Sequence, residues 1–147
     1  MTDTQINVGL LTDYSGPLAE GATSGSLGAE LKFDEVNAAG GVCGRKIVAV
    51  KEDTKYDPLQ TVQAYRAISK KVVMISELLG TGSVEAIKTQ IERDAIPALA
   101  ISMNTATLEK KGVYVPLPVF EVELMNGLAW AAEQAKASDS NPIKVAS

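Results

Sequence analysis

The chain has 147 residues, enough for one domain, and 46% of them are hydrophobic against 22% charged. Its net charge is −4 and its basic residues are scattered, so the sequence has no electrostatic footprint for binding nucleic acid. It has no histidine and a single cysteine, Cys43, which excludes the commonest general base, the commonest metal ligand and an internal disulfide.

Strand-like and helix-like segments alternate along the chain. Apolar runs ended by turn residues predict strands, and apolar residues at helical spacing predict helices. The strands are predicted over 6–11, 47–50, 72–76, 98–101 and 143–146, and the helices over 24–39, from Asp57, from 80–83 and over 121–137. At Asp57 the signal is sharpest, because Pro58 suits a first helical position and Gln60 suits a capping box.

The order of these elements predicts an α/β fold. Nearly all-apolar strands that alternate with helices form a parallel sheet covered on both faces. Right-handed crossovers then favour a doubly wound sheet with the first strand central. Pro116 and Pro118 confine the extended segment 113–119 to a sheet edge or to a crossover between domains.

Ligands bind such a sheet beyond the carboxyl ends of its strands, where the strand order reverses. We call the three loops predicted there, 14–17, 80–83 and 102–105, the rim. They are rich in glycine and small hydroxyl residues, and helix starts among them favour a carboxylate. Capping explains each loop taken alone, so their coincidence at one edge is the informative feature. The candidate binding residues are Tyr14, Ser15, Gly80, Thr81, Gly82, Ser102 and Asn104.

The sequence lacks the common motifs of cofactor-binding and catalytic sites. The glycines after the first strand do not have dinucleotide-binding spacing, and the loop 80–83 lacks the lysine of a phosphate-binding loop. Neither a nucleophile–base pair nor a metal cluster is evident. We therefore expect no enzyme activity, no cofactor and no metal, and a flavodoxin-like or Rossmann-type enzyme is the weakest alternative.

Four segments, taken together, resemble those of a known family. They read VGLLTDYSGPLAEG, FDEVNAAGGVCGRKI, DTKYDPLQTV and AIPALAISMNTATL, in this order. This succession resembles the Leu/Ile/Val-binding protein family of type I periplasmic solute-binding proteins. The stretch 37–47 is the most specific match, and the resemblance extends over nearly the whole chain.

The resemblance implies two α/β lobes that close on a small ligand. Residues 1–119 would form an incomplete N-terminal lobe, and 120–147 the crossover with the first helix and strand of a second lobe. The implied partners are an amino acid or related carboxylate and the membrane permease of an ABC transporter, and the implied location is the periplasm.

The resemblance also implies roles for rim residues. Thr81 falls where the family uses a serine hydroxyl, with Gly80 and Gly82 beside it. Ser102 and Asn104 fall on the loop that holds the ligand's amino group.

The chain departs from the family in two respects. Members with a disulfide in this lobe would need cysteines near Thr54 and Gly80, and neither is cysteine. The chain is also less than half as long as a family member, so we expect a fragment that exposes an apolar sheet edge or helix face.

One alternative function stays open. Residues 1–5 lack the charged and apolar regions of a signal peptide, and no apolar run approaches a membrane span. The chain is then either the mature form of a periplasmic protein with an added methionine, or a cytoplasmic sensor of small molecules with the same fold.

Overall fold

The computed structural model describes residues 2–101, 104–109, 111–136 and 144. Its elements, in chain order, are β1 (Gln5–Thr12), α1 (Ala19–Ala38), β2 (Lys46–Asp53), α2 (Pro58–Ile68), β3 (Met74–Leu79), α3 (Thr81–Asp94), β4 (Ala98–Ile101), a 3₁₀ helix (Thr105–Glu109), β5 (Val113–Tyr114) and α4 (Phe120–Gln134). Within these ranges no helix is long and apolar enough to cross a membrane.

The strands form one parallel sheet in the order β2-β1-β3-β4-β5. This confirms the predicted α/β class and the central position of β1. Right-handed crossovers place α1 on one face and α2 and α3 on the other, where these two helices contact each other. The short strand β5 lies at an edge of the described sheet, as the prolines after it predicted.

Several predicted boundaries were wrong. Helix α1 begins at Ala19 rather than Ser24, and β2 continues through charged residues to Asp53. Strand β3 occupies Met74–Leu79 rather than 72–76, and it continues through the charged Glu77. Helix α4 ends at Gln134, and the strand predicted over 143–146 lies outside the described residues except for position 144.

The main apolar core lies between the sheet and helices α2 and α3. Its largest fully buried side chains include Tyr65, Ile68, Ile75, Leu78 and Ile87. Helix α4 has no buried residue, and its Met125 and Trp130 are 70% and 64% exposed. The predicted exposure of an apolar helix face is thus confirmed.

A buried acid interrupts this apolar pattern. Glu77, in the middle of β3, is only 4% exposed. Its Oε2 accepts a hydrogen bond of 2.5 Å from Ser26 Oγ of helix α1. Burial raises the pKa of the Glu77 carboxyl, and the bond from Ser26 offsets part of that effect.

Asp57 caps the start of α2 as the sequence predicted, and this cap gives a first test of stability. The Asp57 carboxylate accepts a hydrogen bond of 2.8 Å from the amide of Gln60. We expect Asp57→Ala to lower the free energy of unfolding by about 1 kcal/mol in urea titrations. Asp34→Ala, on the exposed surface of α1, is the control, and equal effects of both variants would contradict the capping role.

Glu77 gives a second test, through pH. Because folding raises the pKa of Glu77, the ionised carboxylate lowers the free energy of unfolding at neutral pH. This loss of stability disappears as the pH falls through the folded pKa toward the unfolded value of 4.5. We expect Glu77→Gln to raise Tm at pH 7 by roughly 2–4 °C, and the difference from wild type to shrink on acidification. Glu92→Gln on the surface of α3 is the control. A lower Tm for Glu77→Gln at pH 7 would contradict this.

Candidate functional site

Two aspartates shape the loop after β1. The Asp13 carboxylate is fully buried and accepts hydrogen bonds from the amides of Gly16, at 2.5 Å, and Leu18, at 2.7 Å. At the end of β2, Asp53 accepts from the Tyr14 amide at 2.9 Å and from Ser15 Oγ at 2.5 Å. Desolvation raises the pKa of the Asp53 carboxyl, but the hydrogen bonds that it accepts lower the pKa by more, so the net pKa is lowered. The predicted site residue Ser15 therefore has its hydroxyl bound to Asp53.

Tyr14 packs against α1. Its hydroxyl donates a hydrogen bond of 3.1 Å to Ser26 Oγ, and Ser26 in turn donates to Glu77. Lys51 Nζ lies 5.8 Å from the centroid of the Tyr14 ring. Burial raises the pKa of Tyr14. These contacts give the half-buried ring a packing role.

Gly80 alone separates β3 from α3, and Thr81 and Gly82 are the first residues of that helix, at the predicted edge of the sheet. Gly80 has φ +97°, and a Cβ on it would lie 2.7 Å from the Tyr56 ring, so only glycine fits. It is the N-cap of α3, and this helix start has no side-chain cap. Its amide donates to the carbonyl of Ile101 at 3.1 Å, which joins the ends of β3 and β4.

Helix α3 is fixed at its first turn by contacts with α2. Thr61 Oγ1 donates a hydrogen bond of 2.9 Å to Ser83 Oγ, and both side chains are buried. A Cβ on Gly82 would stand 3.2 Å from the Pro58 ring. The amino-terminal turn of α3, with its positive partial charge, is thereby held at the carboxyl edge of the sheet.

The loop after β4 is described only in part. Ser102 lies outside the described residues. The half-buried Asn104 accepts a hydrogen bond of 2.9 Å from the amide of Ala106 through its Oδ1, and so caps the 3₁₀ helix. Its carbonyl accepts from the amide of Thr107 at 3.0 Å.

A cavity of about 590 Å³ lies beside the rim, between α1 and the ends of β3 and β4. We call it the α1 cavity. Its lining residues are Pro17, Leu18, Glu20, Gly21, Ala22, Gly25, Glu77, Leu79 and Ile101. It touches the segment after β1 at Pro17 and the last residues of β3 and β4, Leu79 and Ile101, so it lies at the edge of the sheet that the sequence predicted.

Sequence reasoning missed the residues of this cavity. Gly21 and Gly25 do not have dinucleotide-binding spacing, and Glu77 lies one residue beyond the predicted strand 72–76. The signal that was available is a single charge inside the apolar segment MISELL. The described residues contain no group of three histidine, cysteine, aspartate or glutamate side chains that could hold a metal ion.

Comparison with known proteins agrees with the family resemblance found in the sequence. The sequence profile of the family described as "Periplasmic binding protein" matches residues 5–141. The chain is 41% identical over 68 residues to the Leu/Ile/Val/Thr-binding protein of Salmonella typhimurium, covering 46% of this chain and 18% of that protein. It is 38% identical over 109 residues to Leu/Ile/Val-binding protein homolog 7 of Brucella suis, covering 74% of this chain and 27% of that protein.

A solved structure adds evidence from the fold. The fatty acid ABC transporter substrate-binding protein from Thermomonospora curvata superposes with a TM-score of 0.89 at 35% identity, covering 91% of this chain and 34% of that one. The chain thus spans about a third or less of the length of these relatives. Family and fold are those of substrate-binding proteins, and the chain belongs to the periplasmic binding protein family, type I, in its Leu/Ile/Val-binding class.

Proposed function

We propose that this chain supplies the N-terminal ligand-binding lobe of the extracytoplasmic solute-binding component of an ABC importer. Residues 1–119 form that lobe, and residues 120–147 begin the second lobe. Helix α4 has no buried residue, and this supports the division, because a helix of a second lobe does not pack into the core of the first. The protein works in the periplasm and delivers its ligand to a membrane permease, without catalysing a reaction.

The observation that carries the proposal is the position of the α3 amino terminus. This turn lacks a side-chain cap and lies at the carboxyl edge of a parallel sheet, next to the end of β4. The amino-terminal amides of a helix and the helix dipole favour an anion at such a point. Thr81, in the first turn, adds a hydroxyl. The ligand's carboxylate binds here.

The α1 cavity receives the apolar part of the ligand. Leu18, Ala22, Leu79 and Ile101 supply most of an apolar lining beside the carboxylate site. The names of the relatives support this division, since leucine, isoleucine, valine and fatty acids all join a carboxylate to an aliphatic chain. A small aliphatic carboxylate, such as a branched-chain amino acid, is therefore the ligand class.

Closure of a second lobe completes the binding site. A ligand that contacts both lobes favours the closed state through its differential affinity for the two arrangements. The 147-residue chain supplies only the contacts of one lobe, so it binds weakly by itself.

The carboxylate site is tested by NMR titration of the ¹⁵N-labelled chain with leucine and with hexanoate. We expect a Kd of about 1 mM or weaker, with shifts at the amides of residues 80–83. Thr81→Val should weaken binding by about tenfold, because it removes one hydrogen bond to a charged group. Thr89→Val, on the exposed part of the same helix, is the control. Submicromolar binding would contradict the need for a second lobe, and unshifted amides at 80–83 would contradict the carboxylate site.

The cavity is tested with two glycines of α1. A Cβ on Gly21 or on Gly28 would meet no atom within 4 Å, but only Gly21 lines the cavity. We expect Gly21→Leu to abolish the hexanoate shifts by filling the cavity, and Gly28→Leu to leave them unchanged. Both variants should fold at least as well as wild type, because leucine is favoured over glycine in a helix by roughly 0.5–1 kcal/mol. Equal hexanoate affinities in both variants would place the aliphatic chain elsewhere.

A further inference from the structure

The floor of the α1 cavity carries a negative charge in mostly apolar surroundings. Glu77 lines the cavity and is 4% exposed, and the exposed Glu20 lies at its border. None of the described lining residues is lysine or arginine. A carboxylate buried without a cation is costly, so its retention inside a core strand requires a reason.

The hydrogen bonding of Glu77 is incomplete. A carboxylate has about four acceptor positions, and the bond described for Glu77 is the one from Ser26 to Oε2. The other oxygen, Oε1, lies 3.5 Å from the point where a Cβ on Gly25 would stand, so it faces the gap that this glycine leaves in the cavity wall.

A second buried polar group lies at the same place. The Thr12 hydroxyl is close enough to the Glu77 carboxyl to lower its pKa, yet it has no hydrogen-bond partner of good geometry among the described residues. Thr12 is fully buried. The Glu77 carboxyl at the floor of the cavity is therefore available to a donor that enters from the cavity, and the buried Thr12 hydroxyl lies beside it.

We propose that Glu77 is a specificity-determining residue that binds a cationic nitrogen carried at the end of the ligand's aliphatic chain. The inference rests on the proposed function, in which the ligand's carboxylate binds at α3. An ammonium group provides both the positive charge and the donors that Glu77 and Thr12 lack. The glycines at 21 and 25 leave the space through which the chain reaches them.

The distance between the two ends of the site sets the ligand class. Glu77 precedes Gly80 by three residues in an extended segment, which is about 10 Å along the strand. The α-amino group of an amino acid is adjacent to its carboxylate and does not bridge this separation. An ω-amino carboxylate, with several methylene groups between its two charges, does bridge it.

The test compares three probes on the 147-residue chain by NMR: hexanoate, 6-aminohexanoate and hexylamine. We expect 6-aminohexanoate to bind about tenfold more tightly than hexanoate, and Glu77→Gln to remove this preference. Glu92→Gln, on the outer surface of α3, is the control and keeps the preference. Well-dispersed amide spectra verify that each variant is folded. A purely structural role for Glu77 would shift the affinity of all three probes together.

The outcomes separate the two proposals. If 6-aminohexanoate and hexanoate bind wild type equally, or if Glu77→Gln keeps the preference, the role of Glu77 is overturned while the carboxylate site stands. If hexylamine binds in a manner that depends on Glu77 but hexanoate does not bind, the role of Glu77 stands and the carboxylate site is overturned. If no probe shifts any amide at its highest soluble concentration, both are overturned.

Discussion

The common direction of the strands is the constraint on which the rest of the molecule depends. Because β1 to β5 are parallel, every carboxyl end meets the same edge of the sheet, and each following helix offers its amino terminus there. The backbone bond from Gly80 to Ile101 joins two of these ends. The ring of Tyr56 packs so closely on Gly80 that no side chain fits between them. The amino terminus of α3, the rim and the α1 cavity therefore all lie at the carboxyl edge of the sheet.

Aspartates determine which groups at this edge remain available. Asp13, Asp53 and Asp57 lie at the end of a strand or at the start of a helix, and each accepts a hydrogen bond from a backbone amide of the adjoining loop or helix. Since Asp53 also holds the Ser15 hydroxyl, that side chain serves the shape of the loop. The amino terminus of α3 has no such carboxylate cap. The starts of α2 and α3 therefore differ, because an aspartate caps α2 and no side chain caps α3.

Interactions that are close in sequence were predictable, and those that join distant segments were not. The start of α2 depends on Asp57 and Gln60, three residues apart, and the sequence predicted it. The strand order followed from the crossover rule, which needs only the succession of elements. By contrast, Ser15 and Asp53 are 38 residues apart, and Ser26 and Glu77 are 51 apart. A glutamate is usually solvated, and the contact with Ser26 that accounts for a buried Glu77 is not visible in the sequence. The cavity was missed for the same reason.

Helix α1 and strand β3 each contain residues that destabilise the fold, and these residues meet at the α1 cavity. Glycine inside a helix costs roughly 0.5–1 kcal/mol relative to alanine, and α1 contains Gly21 and Gly25 one turn apart on the wall of the cavity. Directly behind them, β3 buries a carboxylate whose pKa is raised by the loss of water. Neither feature stabilises the lobe. Unfavourable features that coincide in space are typical of binding sites, where stability is given up for an available surface. We therefore interpret these residues as parts of one site: Gly21 and Gly25 open the α1 cavity, and Glu77 places an acid at its floor.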